Sequence, residues 1–246
     1  MDASEYAIRV FNKHVERSGL SNKLNGNTIL EIGPGDSVAT AVVAAAHGAQ
    51  AILIDSGRFV RTDVASYLEL ERVLRENGKF PPHLVGCKDI GEILTHCKAR
   101  YMTNGLASFG RIESASVDMI FSQAVLEHVR KREFLEMIRE CRRVLKPGGV
   151  CSHQVDLSDH LSGALNNRRF SEKVWESEIF VRSGFYTNRI SFNEMPSLFR
   201  QAGFEIEVSN VRRWPELPTP RNRLSREFKN LSDEDLCVSG FEVFLW

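Results

Sequence analysis

The chain has 246 residues, 42% of them hydrophobic, and its 32 Lys+Arg balance 32 Asp+Glu to a formal net charge of +0 at pH 7. That length holds one α/β domain with a well-buried core and is short for two full domains with linkers, so 1–246 reads as a single domain. Neutrality removes the global field that would gather nucleic acid or an anionic membrane. No apolar run approaches bilayer length, and Met1-Asp-Ala-Ser-Glu-Tyr6 lacks the basic start and apolar core of a signal peptide. Cys87, Cys97, Cys141, Cys151 and Cys237 are odd in number and form no Cys-x-x-Cys pair. They read as reduced thiols of a cytoplasmic protein, with neither a disulfide framework nor a metal site expected.

Tyr6, Val10, Phe11, His14 and Val15 recur at near-helical spacing over residues 4–17. This helix either covers the mouth of a ligand site or packs beside a sheet edge. Strand 28–32, helix 38–47 and strand 50–54 follow, an alternation that implies a parallel sheet with helical crossovers. Val64, Leu68, Leu70, Val73 and Leu74 share one side of a helix over 62–77, Phe80-Pro-Pro-His83 is a turn, and 88–98 reads as helix. This stretch exceeds a minimal crossover, so about 56–98 reads as an insertion over the site end of the sheet. Strands are expected at 99–103 and 117–122 and a long helix at 132–145, ended by Lys146-Pro-Gly-Gly149, which feeds strand 150–155. The polar segment to Asn188 marks a second insertion, about 157–192, suited to a substrate lid. Helix 193–202, stopped by Gly203, leads to strand 204–211, and Gly240–Trp246 alternates as a last, antiparallel strand.

The chemistry starts at Thr28-Ile-Leu-Glu-Ile-Gly-Pro-Gly-Asp-Ser37, where an apolar strand breaks into a Gly-x-Gly turn. Gly33 and Gly35, lacking Cβ, reach backbone angles closed to other residues and let a ligand lie against the main chain. Asp55 ends the second strand twenty residues after Gly35, where a carboxylate can accept from both ribose hydroxyls of a nucleoside. A dinucleotide fingerprint places a third Gly or Ala where this chain has Val38, and Glu31 would stand awkwardly beside a diphosphate. Glu-x-Gly-x-Gly therefore favours S-adenosylmethionine (SAM), a nucleoside with a cationic amino-acid tail and no phosphate.

Ser116-Val-Asp-Met-Ile-Phe-Ser-Gln-Ala-Val-Leu-Glu-His-Val129 and Arg143-Val-Leu-Lys-Pro-Gly-Gly-Val150 add further signals in order. With them the sequence resembles the class I SAM-dependent methyltransferases over nearly its whole length. His153-Gln-Val-Asp-Leu-Ser-Asp-His160 and Tyr186-Thr-Asn-Arg189 resemble a bacterial subgroup associated with polysaccharide or other glycan biosynthesis. The resemblance implies a Rossmann-like, doubly wound, three-layer α/β/α fold with a seven-stranded, mostly parallel sheet and an antiparallel last strand. It also implies SAM as cofactor, with Asn104 near the adenine, where the family often has an acid, and Ser122 near the methionyl part or as a helix cap. The Asn104 departure and Ser37 in place of a third glycine are the two mismatches.

Methyl transfer is an in-line displacement, and a hydroxyl acceptor wants a base for its proton. His128 in Leu-Glu-His-Val is one candidate base; the alternative is an imidazole tied to its loop or lining the cofactor pocket. His153, Asp156 and His160 are the others, with Asp159 between them. Asp156 or Ser158 instead caps a helix starting at Asp159 in the competing reading, and Mg²⁺ binding is a third. Arg168, Arg169, Tyr186, Asn188 and Arg189 lie in the expected lid, and Arg212, Arg213, Arg221, Arg223 and Arg226 follow the sixth strand. They either grip a phosphate or carboxylate, as on a nucleotide- or lipid-diphosphate-linked glycan, or form a solvated basic face. Trp175 and Trp214 either stack on a sugar or pack in the core. The expected function is O-methylation of a small-molecule or glycan acceptor. A NAD(P)-dependent oxidoreductase and a non-catalytic SAM-binding scaffold remain as alternatives.

Overall fold

The computed structural model describes residues 3–21, 23–61 and 63–246. Met1, Asp2 and Thr62, which the readings of the N-terminus and of the 62–77 helix include, lie outside the described residues. In chain order the elements are α1 Ala3–Arg17, β1 Thr28–Ile32, α2 Ala39–Ala46, β2 Gln50–Ile54, α3 Ala65–Glu76, α4 Ile90–His96, β3 Arg100–Met102, β4 Val117–Gln123, α5 Lys131–Val144 and β5 Leu145–Asp156. The short α6 Glu172–Trp175 and α7 Glu178–Val181 precede α8 Glu194–Gln201, β6 Ile206–Arg213, α9 Asp233–Leu236 and β7 Val238–Leu245. Among the described residues, seven strands form one sheet in the order β3-β2-β1-β4-β5-β7-β6.

β1 and β2 are buried along nearly all their length, which is why their apolar runs are almost unbroken: a parallel strand covered on both faces has no solvent side. They pair in parallel, Thr28 beside Gln50, and β1 pairs in parallel with β4, Ile29 beside Met119. The strand order reverses direction at β1, so a ligand crevice is expected at the carboxyl ends of β1 and β4. β6 and β7 pair antiparallel, with irregular register between Ser209 and Arg213.

The chain divides into two compact units, one of residues 1–123, 143–152 and 246, the other of residues 124–142 and 153–245. In the first, Val38, Ala41, Val42, Val43 and Ala44 are fully buried; α2 is apolar all round because it lies between the sheet and other helices. α1 rests on the sheet rather than beside its edge. His14 stacks on Phe121 of β4 at 4.9 Å, and its Nδ1 lies 2.8 Å from Ser152 Oγ of β5. In the second unit Trp175 is fully buried among Phe170, Phe180, Phe185 and Tyr186, with ring centroids 5.0–6.2 Å away. Trp175 is thus a core residue, and Trp214 packs against Leu165, Leu224, Phe228 and Leu236.

Three local expectations are corrected. Lys146-Pro-Gly-Gly149 is not a loop between helix and strand, because β5 starts at Leu145 directly after α5. A Cβ on Gly149 would stand 3.0 Å from the Asp118 carbonyl and 2.9 Å from Leu145 Cγ, so glycine permits a close strand approach there. No helix starts at Asp159; residues 157–165 are turns built around its carboxylate. The sixth strand begins at Ile206, two residues later than expected.

Candidate functional site

The turn after β1 is held by the backbone. Gly33 and Gly35 take φ of 71° and 67°, and Gly33 N–H donates to the Ile54 carbonyl at 2.8 Å. A Cβ built on Gly35 meets nothing within 4 Å. Glycine is needed there for its backbone angle, and the space beside it is open to a ligand. Asp55 Oδ2 accepts from Gly35 N at 3.0 Å and Oδ1 from Ser56 N at 2.7 Å, so the acid at the end of β2 is aimed onto the turn. Burial raises the Asp55 pKa, and the Gly35 and Ser56 N–H groups oppose this. Gly105 N donates to the Asp55 carbonyl at 2.8 Å, which pins the chain after β3 beside Asp55. Asn104 itself is exposed, and its N–H donates to Ser108 Oγ at 3.1 Å.

Glu31 is buried at the end of β1, and desolvation pushes its pKa up to about 7, against a hydrogen bond from Thr40 and with repulsion from Asp55 adding to the rise. A buried carboxyl with a carboxylate neighbour favours a cationic ligand group. Ser122 is fully buried within β4 rather than at a helix start, which removes its capping role. Tyr67 of α3 was not foreseen: its hydroxyl accepts from Val38 N at 3.0 Å and so serves the first turn of α2. Nothing local in the sequence signals that long-range bond. A cavity of about 160 Å³ beside the turn is lined by Asp36, Ser37 and Tyr67 among others. A larger groove, about 630 Å³, runs between α1 and α3 and touches none of the turn residues.

The second unit gathers the imidazoles. His128 Nδ1 lies 2.8 Å from the Tyr186 carbonyl. A carbonyl only accepts, so Nδ1 carries the proton, and the neutral ring presents Nε2 as a lone-pair acceptor. His128 keeps an exposed edge, yet desolvation by the protein around it lowers its pKa, opposed by the Tyr186 bond and aided by His160, which favours the neutral ring. The His128 and His160 rings are 4.8 Å apart. Asp156 acts on His128 electrostatically, while its Oδ1 accepts from Ser158 N at 2.9 Å and Ser158 Oγ at 2.6 Å. The turn-forming use of Asp156 is therefore present without the helix it was expected to cap.

His153 stands apart from that group. It is fully buried and stacked on Phe199 at 6.5 Å, and residues three apart on a strand face opposite sides, so His153 and Asp156 do not share a face. Asp159 Oδ1 accepts from Leu161 N at 3.0 Å and Ser162 N at 2.7 Å, and its Oδ2 from Asn166 N. It organises a turn, and these N–H groups hold its pKa down against the cost of burial. Among the described residues no cluster of three or more His, Cys, Asp and Glu is arranged to hold a metal.

Glu127 was passed over in the sequence. It is 2% exposed, neither carboxylate oxygen has a hydrogen-bond partner, and desolvation pushes its pKa up to about 8. The backbone N–H groups of Glu127 and Asp156 lie near enough to ease that rise without making well-formed bonds. Its place between Leu126 and His128 was the available signal, but a Glu in a polar-looking loop gives no sign of burial.

Tyr186-Thr-Asn-Arg189 explains how this loop is held. Asn188 Nδ2 donates to the carbonyls of Leu126 at 2.8 Å and Val129 at 2.9 Å, and Asn188 N donates to the Glu127 carbonyl at 2.7 Å. Trp175 Nε1 donates to the Thr187 carbonyl at 2.7 Å. Arg189, at φ 59°, donates from Nη1 to the Phe170 carbonyl at 2.7 Å. Arg212 and Arg213, expected after the sixth strand, are its last two residues; Arg212 donates to the Val155 carbonyl at 3.3 Å, Arg213 to that of Glu234 at 2.5 Å, and Arg221 to that of Leu231 at 2.8 Å, so these three serve the fold.

Residues 87–152 match the family model of a methyltransferase domain. No curated protein matches the sequence. Among solved structures, phosphoethanolamine N-methyltransferase 2 of Haemonchus contortus, in complex with phosphomonomethylethanolamine and S-adenosylhomocysteine, superposes with a TM-score of 0.51 at 19% identity over 96% of this chain. The same enzyme with S-adenosyl-L-methionine superposes with a TM-score of 0.51 at 18% identity over 96% of this chain. In both cases this chain spans about half the length of that enzyme, 51%. The seven-stranded, mostly parallel sheet with its antiparallel end is the methyltransferase Rossmann-like fold.

Proposed function

We propose that this chain is a SAM-dependent methyltransferase that methylates a hydroxyl of a small-molecule or glycan acceptor. The observation that carries the reading is the turn itself. Gly35 holds a positive φ with open space beside it, Asp55 is bonded onto that glycine, and Glu31 is buried with no ion-pair partner among the described residues. These residues fit a nucleoside with a cationic tail: Asp55 would accept from the ribose hydroxyls and Glu31 would face the positive end. Asn104 would serve the adenine side and Ser122 the methionyl side. A buried carboxyl at this position argues against a diphosphate, and so against a dinucleotide.

SAM, when bound, supplies a methyl group activated by its sulfonium. The chain's part is to orient the acceptor and take its proton. His128 is the base this reading favours, since the Tyr186 carbonyl leaves its Nε2 free to accept the hydroxyl proton. A positioned base is worth roughly 10²–10⁴-fold for such a step. Asp156 stabilises the imidazolium that forms, and His160 flanks it. A core position for His153 gives that residue a structural part. The glycan class of acceptor is supported by the resemblance of residues 153–160 and 186–189 and by the buried arginines of the same segment.

Calorimetric titration with SAM, S-adenosylhomocysteine and NADH, using Asp55→Ala as control, tests the assignment. Binding of the first two, weakened in the variant, is expected. NADH binding alone would replace the reading with a hydride-transfer enzyme, and SAM binding without turnover on any acceptor would leave a non-catalytic binder.

A further inference from the structure

We propose that Arg168 and Arg189 form a binding site for an oxyanion, a phosphate or a carboxylate, carried by the acceptor. Arg168 is 2% exposed and Arg189 4%, whereas their neighbour Arg169 is exposed, so the solvated basic face expected of this segment applies to Arg169 and not to the other two. A guanidinium stays charged at any ordinary pH, and burying one without a counter-charge is costly. Arg189 has a partial answer: its Nη2 stands 3.3 Å from Glu172, whose side chain is 43% exposed. Arg168 has none. Among the described residues it makes no ion pair, and its Nε and Nη1 are buried with no hydrogen-bond partner.

The two guanidiniums are neighbours of one aromatic ring and repel each other. Arg168 and Arg189 lie 5.2 and 5.0 Å from the centroid of the same ring, Phe228, and Arg189 Nε is likewise buried without a partner. Asp235, itself buried, and Glu194 attract Arg168, but among the described residues neither comes close enough to pair with its guanidinium, and Nε and Nη1 stay without an acceptor. Desolvation lowers the Arg168 pKa to about 10, and repulsion from Arg189 adds to it, which leaves both groups charged near neutrality. Water could meet the N–H groups, and Asp235 offsets only part of the charge from a distance. An oxyanion meets both, and the planar fork offers it two parallel bonds. The partly exposed Glu172 brings solvent close to Arg189.

The word acceptor rests on the methyl-transfer reading; the anion site does not. Thermal unfolding of the full chain is followed against inorganic phosphate, against acetate as the carboxylate probe, and against chloride at matched ionic strength. A saturable rise in Tm with phosphate or acetate and none with chloride is expected, and the effective anion names the source. Arg168→Lys keeps charge and stem but loses the fork, and should weaken the apparent affinity roughly tenfold, while Arg169→Lys leaves it unchanged. No saturable response in the wild type, or an equal response in Arg168→Lys, overturns the site, the latter meaning an adventitious ion only. Arg168→Gln, where far-UV circular dichroism shows it folded, should abolish the response; where it does not fold, the Lys variant decides. SAM titrated into the same samples separates the two ideas. An anion response lost with SAM binding intact supports the site, and a wild type that binds no SAM sinks the methyl-transfer reading while the anion result stands.

Discussion

The turn after β1 and the segment 186–189 are both polar, and they use polarity in opposite ways. At the turn the work is done by main-chain N–H groups and by glycines at φ of 71° and 67°, with open space beside Gly35. Around Tyr186–Arg189 side chains do it: Asn188 and Trp175 are buried and each bonds to backbone of another segment. A site made of backbone tolerates changes in its neighbours and leaves room for a ligand. A site made of interlocked side chains orients groups such as His128, and each link in it is a point of failure.

The sharpest way to test that contrast is at His128. His128→Ala should lower kcat roughly 10²–10⁴-fold with SAM affinity unchanged by calorimetry; turnover at the wild-type rate would remove the residue from the mechanism. The base must be neutral, and desolvation by the surrounding protein lowers its pKa, so wild-type kcat should hold its plateau below the usual imidazole range and then fall as pH drops. On the backbone-built side, Asp55→Ala removes the carboxylate that accepts from Gly35 N. SAM affinity should fall roughly 10–100-fold, the worth of one or two hydrogen bonds to a charged group, and an unchanged affinity would refute its role.

Asn188→Ala would leave the carbonyls of Leu126 and Val129 without their donor. It should cost about 1–3 kcal/mol in denaturant unfolding and lower kcat through His128 without shifting SAM affinity. A variant of wild-type stability would show that the loop is held by other means. The smallest effect is on linkage at Glu31. Its pKa is raised to about 7, so below that pH it is protonated in the free protein, and a cationic ligand must expel the proton. SAM affinity should rise with pH up to about 7, by at most about tenfold per unit, and level off above. Glu31→Gln should flatten the profile; an unaltered slope would place the positive end of the ligand elsewhere.

Much of the frame was readable without coordinates. Apolar runs ending in Gly33 and in Asp55 announce buried parallel strands and the crevice at their ends, because alternation disappears when both faces of a strand are covered. Glycines requiring positive φ are likewise legible, since the residue type itself carries the backbone consequence. The burial of Glu127, Arg168 and Arg189, the contact of His128 with His160, and the hold of Asn188 on Leu126–Val129 were not. Each depends on partners between 32 and 62 residues away or on desolvation by segments remote in sequence. Local pattern determined which elements form and where a nucleoside would lie. Only the tertiary structure decided which polar side chains lose water, and that loss sets which of them are charged, neutral or in want of a partner.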